Sequence, residues 1–306
     1  MSKIALAAAT VALASCAQPA RAPEAAAPVA GLPEPLLPLA AEGNVGDLLA
    51  CLRGRGVTIV SAHRGGPMPG FPENAIETMA NRLAEAPVML EIDVRQSADG
   101  TYVLFHDNEL DADTDGTGPV SSMTLERLRA LRYDEGGYRI STLEEVIDWA
   151  KGRAILQLDI KPGVAFEPLL EWLDARGAED RALIITYNVR DAATVARASK
   201  FLISASVNKE TDLAALAAAG VPADRITAWT GLQAPRPDLW RFLGSNGVSA
   251  NYATYSTLDE QDGSAEAYAA LAGAGLHILS SDRPTFAYRA LEARQDFGTA
   301  AKACIK

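Results

Sequence analysis

Three histidines and three cysteines are all that 306 residues contain. So few cysteines exclude a disulfide scaffold and a cysteine-rich zinc module. Basic residues are also in the minority, 28 Lys and Arg against 39 Asp and Glu, for a formal charge of −11. A broad positive field is therefore missing, and with it a surface for nucleic acid. An anionic ligand remains open to such a chain, but only through a local cation or a bound metal. What is present is apolar: 48% of residues are hydrophobic and 22% charged, which supports a large core and excludes a disordered acidic tail or a coiled coil. Length alone suggests two domains at roughly 150 residues each, although α/β barrels often run to about 250 as one.

Residues 1–16 read MSKIALAAATVALASC. Lys3 leads an apolar run that ends at Leu13, well short of the roughly 20 residues that span a bilayer. The order of charge, apolar run and small residues is that of a secretory signal. Leu13-Ala14-Ser15-Cys16 resembles the lipobox of bacterial lipoproteins, which implies cleavage before Cys16 and lipidation of its sulfur. The alternative is an ordinary signal cut at another small residue. No Asp follows Cys16 to suggest inner-membrane retention, so the expected location is the bacterial cell envelope, anchored in the outer membrane and facing the periplasm. Residues 17–40 carry six of the 17 prolines among many alanines, a composition that favours a mobile linker. The expected organisation is a signal peptide over 1–15, a lipidated Cys and tether over 16–44, and one folded domain over 45–306. Cys51 and Cys304 lie near opposite ends of that domain; they either pair in an oxidising compartment or stay as two separate thiols.

The folded part has no composition break. Strand-like runs at 57–62, 88–94, 102–106, 155–160, 182–187, 202–207, 226–230, 248–252 and 277–281 alternate with amphipathic helices such as 74–86 and 212–219. Thr142 and Glu145 form a capping box ahead of another helix. Alternation of this kind implies parallel strands. Nine candidates over about 245 residues suit a TIM-type (β/α)8 barrel with one spare strand. A doubly wound sheet is the runner-up, but no glycine-rich dinucleotide fingerprint follows the first strand.

Two of the three histidines, His63 and His106, fall at the C-terminal ends of strand candidates, where barrels build their active sites. Glu91 and Asp93 share one face of a strand, since side chains alternate. Asp159 and Lys161 repeat that spacing on a later strand. Like charges inside a barrel are costly unless compensated, either by a salt bridge from Lys161 to Glu91 or Asp93, or by a metal. With Asp159 added, the oxygen-rich set suits Mg²⁺ or Ca²⁺.

These residues stand in a longer series: His63-Arg64-Gly65, Pro72-Glu73-Asn74, Glu91-Ile92-Asp93-Val94, Asp99-Gly100, His106-Asp107, Asp159-Ile160-Lys161 and Ser281-Asp282-Arg283-Pro284. The series resembles the glycerophosphodiester phosphodiesterase family over about 57–290. The resemblance implies a TIM-type barrel, one divalent cation and hydrolysis of a glycerophosphodiester to glycerol 3-phosphate and an alcohol. His63 and His106 then take the acid/base pair, Glu91, Asp93 and Asp159 the metal, and Arg64 and Lys161 the substrate phosphate. The attacking oxygen is either water or the 2-hydroxyl of the substrate's glycerol. The chain departs from the family at Asp159, where Glu is usual, and in the loop after Asp111.

Some residues have plainer readings. Asp111-x-Asp113-x-Asp115-Gly116 opens like a calcium loop but has Ser122 where a bidentate Glu is required. Asn74 is expected to cap a helix, His277 to be structural, and Trp229 and Tyr187 either to pack or to wall the pocket. Two other functions compete. One is phospholipase-type cleavage of intact or lyso lipids on the same barrel. The other is a solute-binding lipoprotein, which needs no acid/base pair.

Overall fold

A computed structural model describes residues 31–41, 43–255, 257–260 and 265–305. The signal peptide and Cys16 lie outside the described residues. Nine strands form the sheet: β1 (Ile59–Ala62), β2 (Met89–Gln96), β3 (Tyr102–Leu104), β4 (Leu156–Ile160), β5 (Ala182–Thr186), β6 (Leu202–Ser206), β7 (Ile226–Trp229), β8 (Ser249–Ala253) and β9 (Ile278–Ser281). Eight of them run parallel in the order β1-β9-β8-β7-β6-β5-β4-β2, and pairing of β1 with β2 closes the barrel. The spare strand is β3. It pairs antiparallel with Val94–Gln96, the part of β2 that extends beyond the register with β1. The TIM-type barrel expected from the strand count is therefore present.

Strand alternation sorts the core into two sets. Leu90, Ile92 and Val94 of β2, Leu156 and Leu158 of β4, and Ile184 of β5 face outward onto the helices, in one cluster with Met79, Leu83, Val146 and Leu170. Each fully buried aliphatic side chain there contributes about 2 kcal/mol. The opposite set fills the barrel. At its N-terminal end Ile59, Met89, Leu183, Leu202 and Ile278 form an apolar plug. Above it the lining turns polar. Gln157 Nε2 donates to Ser61 Oγ at 3.1 Å, and Ser280 Oγ donates to Asn251 Oδ1 at 2.9 Å.

The helices Val45–Gly54 and Phe297–Cys304 seal the plug from below. Asn44 caps the first, its side chain accepting from Asp47 N at 3.1 Å. Cys51 and Cys304 pair in a disulfide across 253 residues, with Cα atoms 5.7 Å apart, and so join the two ends of the domain. The described end of the tether, 31–41, lies against the barrel rather than free of it. Leu36 N donates to Leu83 O at 2.8 Å, Leu39 N to Arg153 O at 3.0 Å, and Leu39 is fully buried in the plug. Both carbonyls sit at the N-terminal end of the barrel, opposite the strand ends that carry the histidines. The predicted helix at 74–86 spans Ile76–Glu85, and that at 212–219 spans Glu210–Ala218. The capping box of Thr142 and Glu145 is formed. Among the described residues no helix is long and apolar enough to cross a membrane.

Candidate active site

The C-terminal mouth opens into a cavity of about 300 Å³ lined by His63, His106, Glu91, Asp93, Asp159 and Lys161. Six of the seven barrel residues singled out in the sequence thus face one space; Arg64 stands just behind it. Facing the acidic side are Ile185, Tyr187, Trp229, Leu232 and Tyr255. Trp229 and Tyr187 therefore wall the pocket. Tyr255, which no strand pattern marks, stacks on the His63 ring at 4.2 Å between centroids.

The backbone turn after β1 sets the histidine side of the site. Arg64 is left-handed at φ 51°, an uncommon state for a side chain with a Cβ. The following Gly65 has φ 78°, and a Cβ there would meet Met79 Cγ at 2.9 Å, so only glycine fits. This turn aims Arg64 N at Glu91 Oε2, 2.8 Å away. His63 Nδ1 lies 2.7 Å from Asp282 Oδ1, and His106 Nδ1 lies 2.8 Å from Asp107 Oδ1. Each carboxylate calls for the proton on Nδ1, which leaves Nε2 as the working nitrogen. On His106 that nitrogen accepts from Arg64 Nη2 at 2.9 Å, while Arg64 Nη1 binds Glu73 Oε2 at 2.7 Å.

Asn74 is not the helix cap; Ala75 holds that position. Asn74 is itself left-handed at φ 58° and fully buried. Its Nδ2 donates to Asp93 Oδ2 at 2.7 Å, and its Oδ1 accepts from Asp93 N at 2.9 Å. The amide thus fixes a carboxylate 19 positions away, which local sequence cannot show.

Asp93 and Asp159 sit side by side in the β2–β4 register, and oxygens of Glu91, Asp93 and Asp159 lie within 4.8 Å of one another. Lys161 Nζ binds Asp93 Oδ1 and Asp159 Oδ2, each at 2.7 Å. Of the two salt bridges weighed from sequence, the one to Asp93 forms, and Asp159 supplies the second. Burial pulls the Lys161 ammonium down, but Asp93 and Asp159 outweigh it and raise its pKa. Burial, and then the Asp93 carboxylate, push Glu91 well above the ordinary carboxylate range. With Glu91 ionised, three carboxylates less one ammonium would leave two negative charges, a state that the raised pKa of Glu91 shows to be costly without a cation. The buried Asp159 Oδ1 has no hydrogen bond of good geometry, although the Tyr187 hydroxyl comes close to this carboxylate. Such an oxygen beside an acidic, all-oxygen set fits a hard divalent cation. The shorter side chain at Asp159 does not break the cluster, because its strand neighbour is Asp93 itself.

The other candidates hold no such site. Asp111 Oδ2 accepts from Gly118 N at 2.7 Å and Asp115 Oδ1 from Arg132 N at 2.8 Å, so two of the three carboxylates in the calcium-like loop brace the loop itself. His277 Nδ1 accepts from Ala250 N at 3.1 Å, and burial followed by the nearby Arg53 charge pushes its pKa down to about 4. It is a structural histidine, as expected.

Residues 63–256 match the model of the glycerophosphoryl diester phosphodiesterase family. The chain belongs to this family. A solved glycerophosphoryl diester phosphodiesterase from Parabacteroides distasonis ATCC 8503 superposes with a TM-score of 0.77 at 32% identity, covering 83% of this chain and 94% of that one. A glycerophosphodiester phosphodiesterase of Caldanaerobacter subterraneus subsp. tengcongensis is 32% identical over 143 residues, 43% of this chain and 58% of that protein. Glycerophosphodiester phosphodiesterase 1 of Homo sapiens is 35% identical over 94 residues, 28% of each chain. The chain spans about half the length of the first two curated relatives it matches. Asp282 enters the candidate site as the partner of His63. It stood in the Ser281–Pro284 motif without a role, because its partner is 219 positions away.

Proposed function

We propose that this family member is a phosphoric diester hydrolase that cleaves glycerophosphodiesters to glycerol 3-phosphate and an alcohol. The observation that carries this reading is the convergence, in one 300 Å³ cavity, of two carboxylate-oriented imidazoles with three carboxylates of net excess charge. A phosphodiester has one negative charge and a poor alkoxide leaving group, so its cleavage needs charge stabilisation and two proton transfers. Glu91, Asp93 and Asp159 would hold the divalent cation, Mg²⁺ or Ca²⁺, which when bound supplies charge stabilisation at a non-bridging oxygen.

The chain's own side chains do the rest. His63 and His106 take complementary roles. One Nε2 removes the proton of the attacking oxygen, and the other protonates the departing alcohol. Arg64 already donates to His106 Nε2, so its guanidinium is within reach of a phosphate that arrives beside that ring. A planar fork suits two phosphate oxygens. Lys161 adds a point charge while holding Asp93 and Asp159 in place. Ile185, Trp229, Leu232 and Tyr255 give the cavity one largely apolar wall. The solute-binder reading leaves both imidazole–carboxylate pairs without a purpose.

The test is a substrate comparison with the purified folded part and added Mg²⁺ or Ca²⁺. Glycerophosphocholine is expected to turn over at least tenfold faster than lysophosphatidylcholine or phosphatidylcholine. Preferential cleavage of either lipid would move the assignment to a phospholipase, and binding without turnover would move it to a solute receptor.

We further propose lipidation at Cys16 and a position in the bacterial envelope, on the outer membrane facing the periplasm. The described chain enters at the end of the barrel opposite the cavity, which suits an anchor that leaves the mouth open to solutes. Several acyl chains at about 0.8 kcal/mol per buried CH₂ give stable attachment. Replacing Cys16 with Ala should shift the protein from the membrane to the soluble fraction; an unchanged distribution would reject the anchor.

A further inference from the structure

The carboxylate that orients His63 is poorly protected. Asp282 is 47% exposed at its side chain and stands just past the end of β9, where strand pairing no longer holds the backbone. A solvated carboxylate on a free backbone would not hold an imidazole in one orientation. What fixes it is a second, buried carboxylate.

Asp259 is 7% exposed and lies on the short turn Leu258–Glu260, after β8. Its Oδ2 accepts from Asp282 N at 2.7 Å and from Ser281 Oγ at 3.0 Å. Its Oδ1 accepts from the hydroxyl of Tyr268 on the helix Ala265–Gly273. Ser281 Oγ in turn accepts from Arg283 N at 2.9 Å, and Asp259 N donates to Thr254 O at 3.2 Å. Three donors from two elements thus meet one buried carboxylate. Burying that charge is costly, and the donors offset the cost. The result is a continuous line from Tyr268 through Asp259 and the Asp282 backbone to the His63 ring.

We propose that Asp259 is a positioning residue, one that acts on the reaction through the Asp282–His63 pair without touching substrate. The inference rests on the role given to His63 above. The loss of Asp259 frees the Asp282 backbone, and misplacement of a catalytic group by about 1 Å costs on the order of 10²-fold in rate.

The experiment uses ¹⁵N-histidine-labelled protein, whose three histidines give a sparse spectrum. In the wild type, the His63 Nδ1 proton should appear far downfield. In Asp282→Asn it should shift upfield or broaden, and Asp259→Ala should reproduce that change. Asp259→Ala should also lower kcat by about 10- to 100-fold with KM within about twofold. Asp259→Asn keeps the shape and one acceptor and covers the case in which the Ala variant does not fold; it should show the same His63 shift at smaller amplitude. A folded Asp259 variant with the wild-type His63 signal and unchanged kcat would overturn the inference, whatever its melting temperature. The resonance arm needs no turnover. A wild type without phosphodiesterase activity would therefore sink the functional reading, while the His63 signal still decides the positioning role.

Discussion

Replacing His63 or His106 with alanine is expected to lower kcat for glycerophosphodiester hydrolysis by about 10²- to 10⁴-fold, the usual worth of general acid–base catalysis. KM should change far less, because neither ring carries the charge that binds phosphate. The two losses should not add, since the rings serve one transition state and the second substitution removes help already forfeited. Both rings are partly exposed at the mouth and neither belongs to the buried plug, so the variants should unfold within a few degrees of the wild type. Each is oriented by its own carboxylate, Asp282 at 2.7 Å and Asp107 at 2.8 Å. Steady-state kinetics and a melting curve check this together. A single His→Ala variant with near wild-type kcat would remove that ring from the mechanism.

The second large effect concerns the cluster of Glu91, Asp93 and Asp159. Chelation of divalent ions is expected to abolish turnover, and readdition of Mg²⁺ or Ca²⁺ to restore it. The same treatment should not unfold the protein, because the apolar plug and the helix layer hold the barrel without the cluster. Indeed, the cluster opposes stability on its own. Glu91 is pushed well above the ordinary carboxylate range by burial and by Asp93 beside it, so its ionised form costs folding free energy. Glu91→Gln removes that cost, because an amide has no ionised form to desolvate. The metal-free variant should therefore be at least as stable as the metal-free wild type at pH 7. It should also lose most of its activity and most of the rise in melting temperature that excess ion gives the wild type, a rise of about 3 kcal/mol in stability at 100 times Kd. Denaturant titration with and without ion reads both. If Glu91→Gln destabilises the metal-free protein and leaves the ion response intact, the cluster is structural.

Much of this site is written in strand alternation. The i, i+2 spacing of Glu91 and Asp93 puts both on one face, and Asp159 and Lys161 follow the same rule, so the carboxylate cluster is legible once the strands are parallel. The barrel follows from nine β-rich runs alternating with helices. Which run is spare does not: Tyr102–Leu104 looks like any other strand, and its exclusion depends on β2 outrunning β1 in register. The residues that sequence reading misassigns or leaves idle share another cause. Asn74 has the composition of a helix cap, but its left-handed backbone turns the amide onto Asp93. Asp282, Tyr255 and Asp259 act on groups brought close only when β8 and β9 close the barrel against β1. The tether is misjudged at its end for a related reason. Its proline and alanine content hides Leu39, which packs fully into the plug.

Phosphorus-31 NMR can follow glycerophosphocholine incubated with the folded part and Mg²⁺ or Ca²⁺, and with the ion chelated. If the chain is a metal-assisted phosphodiesterase, the diester signal converts to glycerol 3-phosphate in the presence of ion and persists when the ion is removed or when His63 or His106 is alanine. Conversion to phosphocholine, or a diester signal unchanged in the presence of either ion, would contradict that assignment.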